Sequence, residues 1–143
     1  MTNEQIDLVK KSFEKIVPIS DNAAALFYAK LFDINPKLRS LFKNDMKEQG
    51  RKLMQVLSYT VESLDEIDAL LPQVRALGAR HVGYGVVERD YETVGTALLW
   101  TFEKALSREF TPKMRAAWAA VYNLLAQTMK EGSRQPAEQA KVV

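Results

Sequence analysis

Apolar residues recur along this chain at the three-to-four-residue step of an α-helix, and no stretch keeps the two-residue alternation of a strand. Ile6, Val9, Phe13 and Ile16 form the first stripe, preceded by Thr2 and Gln5, which suit a capping box. Pro18 predicts the end of that helix. Ser20 or Asp21 is the expected cap of a second, on which Ala24, Phe27, Tyr28, Leu31 and Phe32 share a face. Asn35-Pro36 predicts its end and opens a short helical turn with Leu38, Leu41 and Phe42. Residues 43–50, KNDMKEQG, read as a polar joint, with Gly50 loosening the first turn of the next helix. Gln49, Leu53, Val56, Leu57, Thr60 and Leu64 then make one stripe; Leu70, Val74, Leu77 and His81 make the next, with Pro72 near its start and Gly83 and Gly85 at its end. Tyr91, Val94, Leu98, Phe102 and Ala105 mark a long helix. Thr111-Pro112 starts the last, whose stripe of Met114, Trp118, Val121, Leu125 and Met129 runs to Gly132. The pattern predicts an all-α domain of about six to eight helices over residues 1–132, with a polar, frayed tail at 133–143.

Composition narrows the class. A hydrophobic share of 47% against 27% charged residues suits a soluble globular domain, and 143 residues suffice for one core. The net charge of +2 comes without a basic block, which argues against nucleic acid and anionic membranes as partners. The longest apolar run, residues 23–29, is too short to span a bilayer, and the N-terminus lacks a signal-peptide pattern. The absence of cysteine excludes disulfides, thiolate catalysis and Cys-ligated metal centres. A cytoplasmic location is expected.

The same residues exclude most chemistries. A single histidine cannot form a His-x-x-x-His zinc pair, and Gly78 stands where a Glu-x-x-His di-iron motif needs its acid. No glycine-rich phosphate loop opens a helix, and no strained nucleophile turn surrounds a serine. His81 itself, in RALGARHVGYGV, has two readings: a packed core histidine, or the one axial ligand that haem requires from the protein. Periodicity admits both, and puts Leu77 one turn earlier on the same side. Tyr28, on an apolar face, needs a partner for its hydroxyl. Gln49 heads an otherwise apolar stripe; it is either a solvated residue near a helix start or an amide facing inward.

The ordered set LFYAKLF, NPKLRSLF, QGRKLMQVL, ALLPQVRALGARH, DYETVGTALL and AAWAAVYNLLAQ resembles the bacterial single-domain globins and the globin portion of flavohaemoglobins. The resemblance covers roughly residues 3–131. It implies a globin fold around a haem pocket, with haem b as cofactor, since no cysteine can tether it. His81 matches the proximal iron ligand, whose Nδ1–H would be oriented by the Leu77 carbonyl. Gly83 and Gly85 either let the chain leave close beneath the ring or simply stop the helix. Phe42, Leu53, Leu77 and Val86 match apolar haem contacts. Lys52 and Arg80 match propionate partners, or are solvated basic side chains. Tyr28, Gln49 and Leu53 match the distal pocket that holds oxygen. Tyr91 matches a tyrosine that helps tune the proximal histidine, or packs as a helix-start aromatic. The acid that accompanies it in that group is Ser133 here, and the nearest carboxylate is Glu131.

Three functions are compatible with these expectations. The first is tight oxygen binding or storage. The second is enzymatic: nitric oxide dioxygenation, with a separate reductase supplying electrons. The third, less favoured, is gas or redox sensing. Oxygen, nitric oxide and carbon monoxide are the expected ligands, and the chain is expected to be a monomer or weak homodimer.

Overall fold

The structure, a computed structural model, describes residues 1–43 and 45–134. Among these, six α-helices carry the chain: α1 (Asn3–Ile16), α2 (Ser20–Ile34), α3 (Met46–Glu62), α4 (Ile67–Gly83), α5 (Glu88–Leu106) and α6 (Pro112–Ser133). Short 3-10 turns join several of them, and no strand occurs among the described residues. The all-α expectation is met. Of the expected tail, Ser133 and Arg134 complete and cap α6, and residues 135–143 lie outside the described residues. No helix among the described residues is long and apolar enough to cross a membrane.

Helix starts follow local chemistry. Thr2 and Gln5 exchange both bonds of a capping box at 3.1 Å. Thr111 accepts the Met114 N–H at 3.2 Å, with Pro112 in the first helical position. Two expectations need correction. Neither Ser20 nor Asp21 caps α2, because the 3-10 turn Val17–Ile19 runs straight into it and the Val17 carbonyl takes the Ser20 N–H. The polar joint is shorter than 43–50, because Asp45 caps α3 by accepting the Lys47 N–H at 3.3 Å. Lys47 and Glu48 are polar because that side of the first turn faces water, not because they form a loop.

The core is assembled from the predicted stripes, with Val9, Ile16, Leu31, Leu64, Phe102, Trp118 and Val121 nearly inaccessible. Its buried polar groups are built in with partners. The Trp118 indole N–H donates to Ser12 Oγ at 2.7 Å, and the Ser12 hydroxyl bonds the Leu8 carbonyl at 2.8 Å. A buried indole needs such an acceptor.

Helix pairing positions the rest. Helix α2 packs on α3 and α5, α1 packs on α6, and α4 lies along α6. Helices α3 and α4 are consecutive yet form no packed interface. Their one hydrogen bond runs from Tyr59 Oη to Gln73 Oε1, 2.9 Å, between exposed side chains. Glycines set the two tight pairings. A Cβ on Gly50 would stand 3.0 Å from Ala24 Cβ, so α3 rides close on α2 rather than fraying there. A Cβ on Gly78 would stand 2.0 Å from the Met129 carbonyl oxygen, and one on Gly132 would stand 1.9 Å from that of Arg75. Helices α4 and α6 therefore cross backbone to backbone. Gly132, expected as a stop, lies inside α6 because this crossing requires it.

Candidate functional site

His81 occupies the last turn of α4, one turn beyond Gly78, so the α4–α6 crossing fixes where its half-buried ring can reach. Its Nδ1 stands 3.4 Å from the Tyr91 hydroxyl, a long hydrogen bond. This replaces the expected Leu77 carbonyl, which the helix itself uses for the His81 backbone N–H. Nε2 has no hydrogen-bond partner among the described residues. No fully buried side-chain polar atom among them lacks a partner, so Nε2 opens onto free space. Burial, then the Arg80 charge, hold the imidazole below its ordinary pKa and favour the neutral form that ligates metals.

The chain leaves α4 sharply. The Tyr84 and Val86 N–H groups both bond the His81 carbonyl at 3.1 Å. Gly85 takes φ of +94°, a left-handed geometry that suits glycine, and Leu41 lies 3.2 Å from where its Cβ would be. That contact brings the segment leading to Phe42 against the turn after His81.

Tyr28 lies buried on α2 among the rings of Phe27, Phe32 and Phe42, at centroid distances of 5.0, 5.9 and 5.3 Å. Burial pushes its hydroxyl pKa up, and the neighbouring Gln49 side chain opposes that shift. Gln49 is half-buried beside Gly50, which rides on Ala24, one turn from Tyr28 along α2.

Phe42, Leu53, Leu77 and Val86 are all half-buried, and Phe42 and Leu53 pack against the core. Lys52 and Arg80 are exposed and form no ion pair among the described residues. Glu131 faces away from His81: its carboxylate pairs with Arg75 at 3.4 Å. Ser133 donates to the Lys130 carbonyl at 2.7 Å. A hollow of about 530 Å³ between α5 and α6 includes neither His81 nor Tyr28.

No group of three or more potential ligands could hold an ion among the described residues. Whatever His81 ligates must bring its other donors with it. The globin family profile matches residues 25–129. The chain is a globin. It is 26% identical to a flavohemoprotein of Vibrio cholerae, over 93% of this chain and 35% of that protein. It therefore spans about a third of that relative. It is 27% identical to the rice (Oryza sativa subsp. indica) anaerobic nitrite reductase NSHB5, over 93% of this chain and 96% of that one. Its fold matches a hexacoordinated heme protein from an anhydrobiotic tardigrade with a TM-score of 0.83 at 20% identity, covering 94% and 96% of the two chains.

Globin membership implies a haem cofactor, and the residues fit one. The half-buried imidazole of His81 is favoured in its neutral form and has no hydrogen-bond partner at Nε2 among the described residues, and apolar Phe42, Leu53, Leu77 and Val86 are half-buried. A porphyrin supplies the four donors that the protein lacks.

Sequence reasoning missed Tyr122 and Lys130. Tyr122 Oη donates to the Tyr91 carbonyl at 2.6 Å, and Lys130 Nζ lies 5.9 Å from the Tyr91 ring centroid. Tyr122 was within reach of the same reasoning as Tyr28, since it lies one turn beyond Trp118 on the apolar side of α6.

Burial raises the pKa of Tyr28, Tyr91 and Tyr122 alike. A phenol whose pKa rises on folding adds stability that is complete below its unfolded pKa and is lost as pH climbs through the folded value. Urea unfolding of the globin should therefore show stability dropping above pH ~10, with a shallower drop in Tyr122→Phe. A profile that stays flat to strongly alkaline pH would contradict the burial of all three hydroxyls.

Proposed function

We propose that this globin holds haem b through His81 and binds oxygen tightly, with Tyr28 and Gln49 as paired distal donors. The observation that carries the reading is the burial of Tyr28 midway along α2, with α3 seated one turn away through Gly50 on Ala24 and Gln49 beside that seat. Haem, when bound, would supply the seat for a diatomic gas, and hydrogen-bond donors would favour oxygen over the less polar carbon monoxide. Tyr28, kept protonated by burial, donates from a fixed position because three phenylalanine rings pack around it. Gln49 donates from α3 and steadies the Tyr28 hydroxyl. Leu53, one turn further along α3, keeps water from the donors. Phe42, Leu77 and Val86 wedge the flat cofactor, and Lys52 and Arg80 are cations for its propionates. No cysteine is present to attach the haem covalently, and no second histidine of the chain can fill the sixth position.

Tyr28→Phe deletes one hydroxyl and keeps the ring. Oxygen release should become roughly ten- to hundredfold faster, the rate equivalent of about 1.5–3 kcal/mol for one charge-assisted hydrogen bond. Gln49→Leu should act in the same direction by less, and the double variant should fall short of additivity. Carbon monoxide release should barely change. Ligand-replacement stopped flow measures both gases, and equal changes for the two would make the pocket steric rather than polar.

A second reading is nitric oxide dioxygenation, favoured by the likeness to the Vibrio flavohemoprotein. The same donors serve it, because oxygen must be held before nitric oxide arrives. Electrons would have to come from a reductase outside these residues. Stopped-flow mixing with nitric oxide, followed by re-reduction in cell extract, separates it from simple oxygen binding.

A further inference from the structure

A second hollow, of about 450 Å³, lies between the turn Pro36–Leu41 and the start of α5, and includes neither His81, Tyr28 nor Gln49. Asn35, Lys37 and Leu41 line it from the first segment, and Gly85, Val87 and Arg89 from the second. Its two cations, Lys37 and Arg89, are exposed and form no ion pair among the described residues. The acids nearby are committed. Asp90, which also lines the hollow, is buried and accepts the Val87 N–H at 2.9 Å, and Glu88 pairs with Arg134 at 3.1 Å. Asn35 Oδ1 accepts the Lys37 N–H at 3.2 Å, which leaves the amide N–H groups of Asn35 as neutral donors.

We propose that this hollow is an anion site, taking the phosphate group of a small organic molecule between Lys37 and Arg89 and tying the turn before Phe42 to the turn after His81. Two uncommitted cations on one concave surface raise the local concentration of anions. The guanidinium offers a phosphate two parallel N–H donors, and the ammonium adds a compact charge. The volume falls within the range of small-molecule pockets, roughly 300–1,000 Å³. It leaves Leu38, Leu41 and Val87 to border an organic body carried on the phosphate. The two segments already touch, since Leu41 lies 3.2 Å from where a Gly85 Cβ would be. A phosphate held by both cations adds a tie across that contact and slows the separation of Phe42 from His81. The effect on haem rests on the haem reading above; the anion site does not.

Isothermal titration calorimetry of the full chain at low salt tests the site with two probes, inorganic phosphate and phenyl phosphate. Phenyl phosphate should bind at one site per chain, and more tightly than inorganic phosphate. Lys37→Gln and Arg89→Gln should each weaken it roughly tenfold or more, the equivalent of one lost charge-assisted hydrogen bond. Added sodium chloride should weaken the wild-type binding. Both variants should fold, because neither side chain is ion-paired, and circular dichroism checks this. Equal affinity for the two probes would make free phosphate the ligand and remove the organic body. No saturable binding of either probe, or binding unchanged in both variants, would overturn the site. Haem transfer to an excess of a scavenging apoprotein reads the tie. Phenyl phosphate at about ten times its Kd should slow haem loss up to about tenfold if it binds only the closed arrangement, and should do so far less in Arg89→Gln. Unchanged haem loss with intact binding would overturn the tie alone. Failure of the chain to take up haem would overturn the functional reading, while the titration would still decide the anion site.

Discussion

His81→Ala should fold and yet bind haem roughly a hundredfold more weakly or worse. Removing even an outer-shell partner of a metal ligand costs about 10–100-fold in affinity, and here the ligand itself is lost. The fold should survive because the ring is half-buried and its polar contact is one long hydrogen bond to Tyr91. The helix that carries it is held by its crossing with α6, not by the imidazole. Haem titration followed at the Soret band gives the affinity, and circular dichroism checks the helices. The companion variant His81→Gly should regain the ferrous spectrum when free imidazole is added. Unchanged haem affinity in His81→Ala would remove His81 from the iron and leave it a core histidine.

Gly78→Ala and Gly132→Ala should each destabilise the globin by about 1–3 kcal/mol or more, the usual cost of overpacking. The new methyl would meet a backbone carbonyl at 2.0 or 1.9 Å, and no side-chain rotation can relieve that. Alanine is the better helix former by up to about 1 kcal/mol, so the observed loss is net of that gain. Gly83→Ala is the internal control. Nothing lies within 4 Å of a Cβ there, so it should be neutral or slightly stabilising. Denaturant melts of the three apoproteins settle the comparison. Equal behaviour at all three positions would mean that α4 and α6 do not cross as closely as described.

The stripes, the capping box at Thr2 and the helix count were legible because period and caps are local properties. Tyr28, Gln49 and His81 were legible for a different reason: each is a polar residue on an apolar stripe, and such a residue asks for a partner. What stayed hidden depends on which backbone meets which. Gly78 entered the sequence reading only as the absence of an acid, and Gly132 only as a helix end. A glycine's letter does not say whether it breaks a helix or admits another one. The Nδ1 partner was missed in the same way, since the Leu77 carbonyl is close in sequence and the Tyr91 hydroxyl is close only in space. The bond between Ser12 and Trp118 stayed hidden too, since its two partners are far apart along the chain.

Gly50 ties α3 to α2, and Gly78 and Gly132 tie α4 to α6, while α3 and α4 themselves stand apart. The gap is thus bounded by two jaws whose pivots lie behind them. The four-residue turn Ser63–Glu66 is the strap between the jaws. On the haem reading proposed above, the grip on a flat cofactor would then depend on helix pairings set by these glycines. A single methyl at one of them would shift a whole helix pair rather than one side chain.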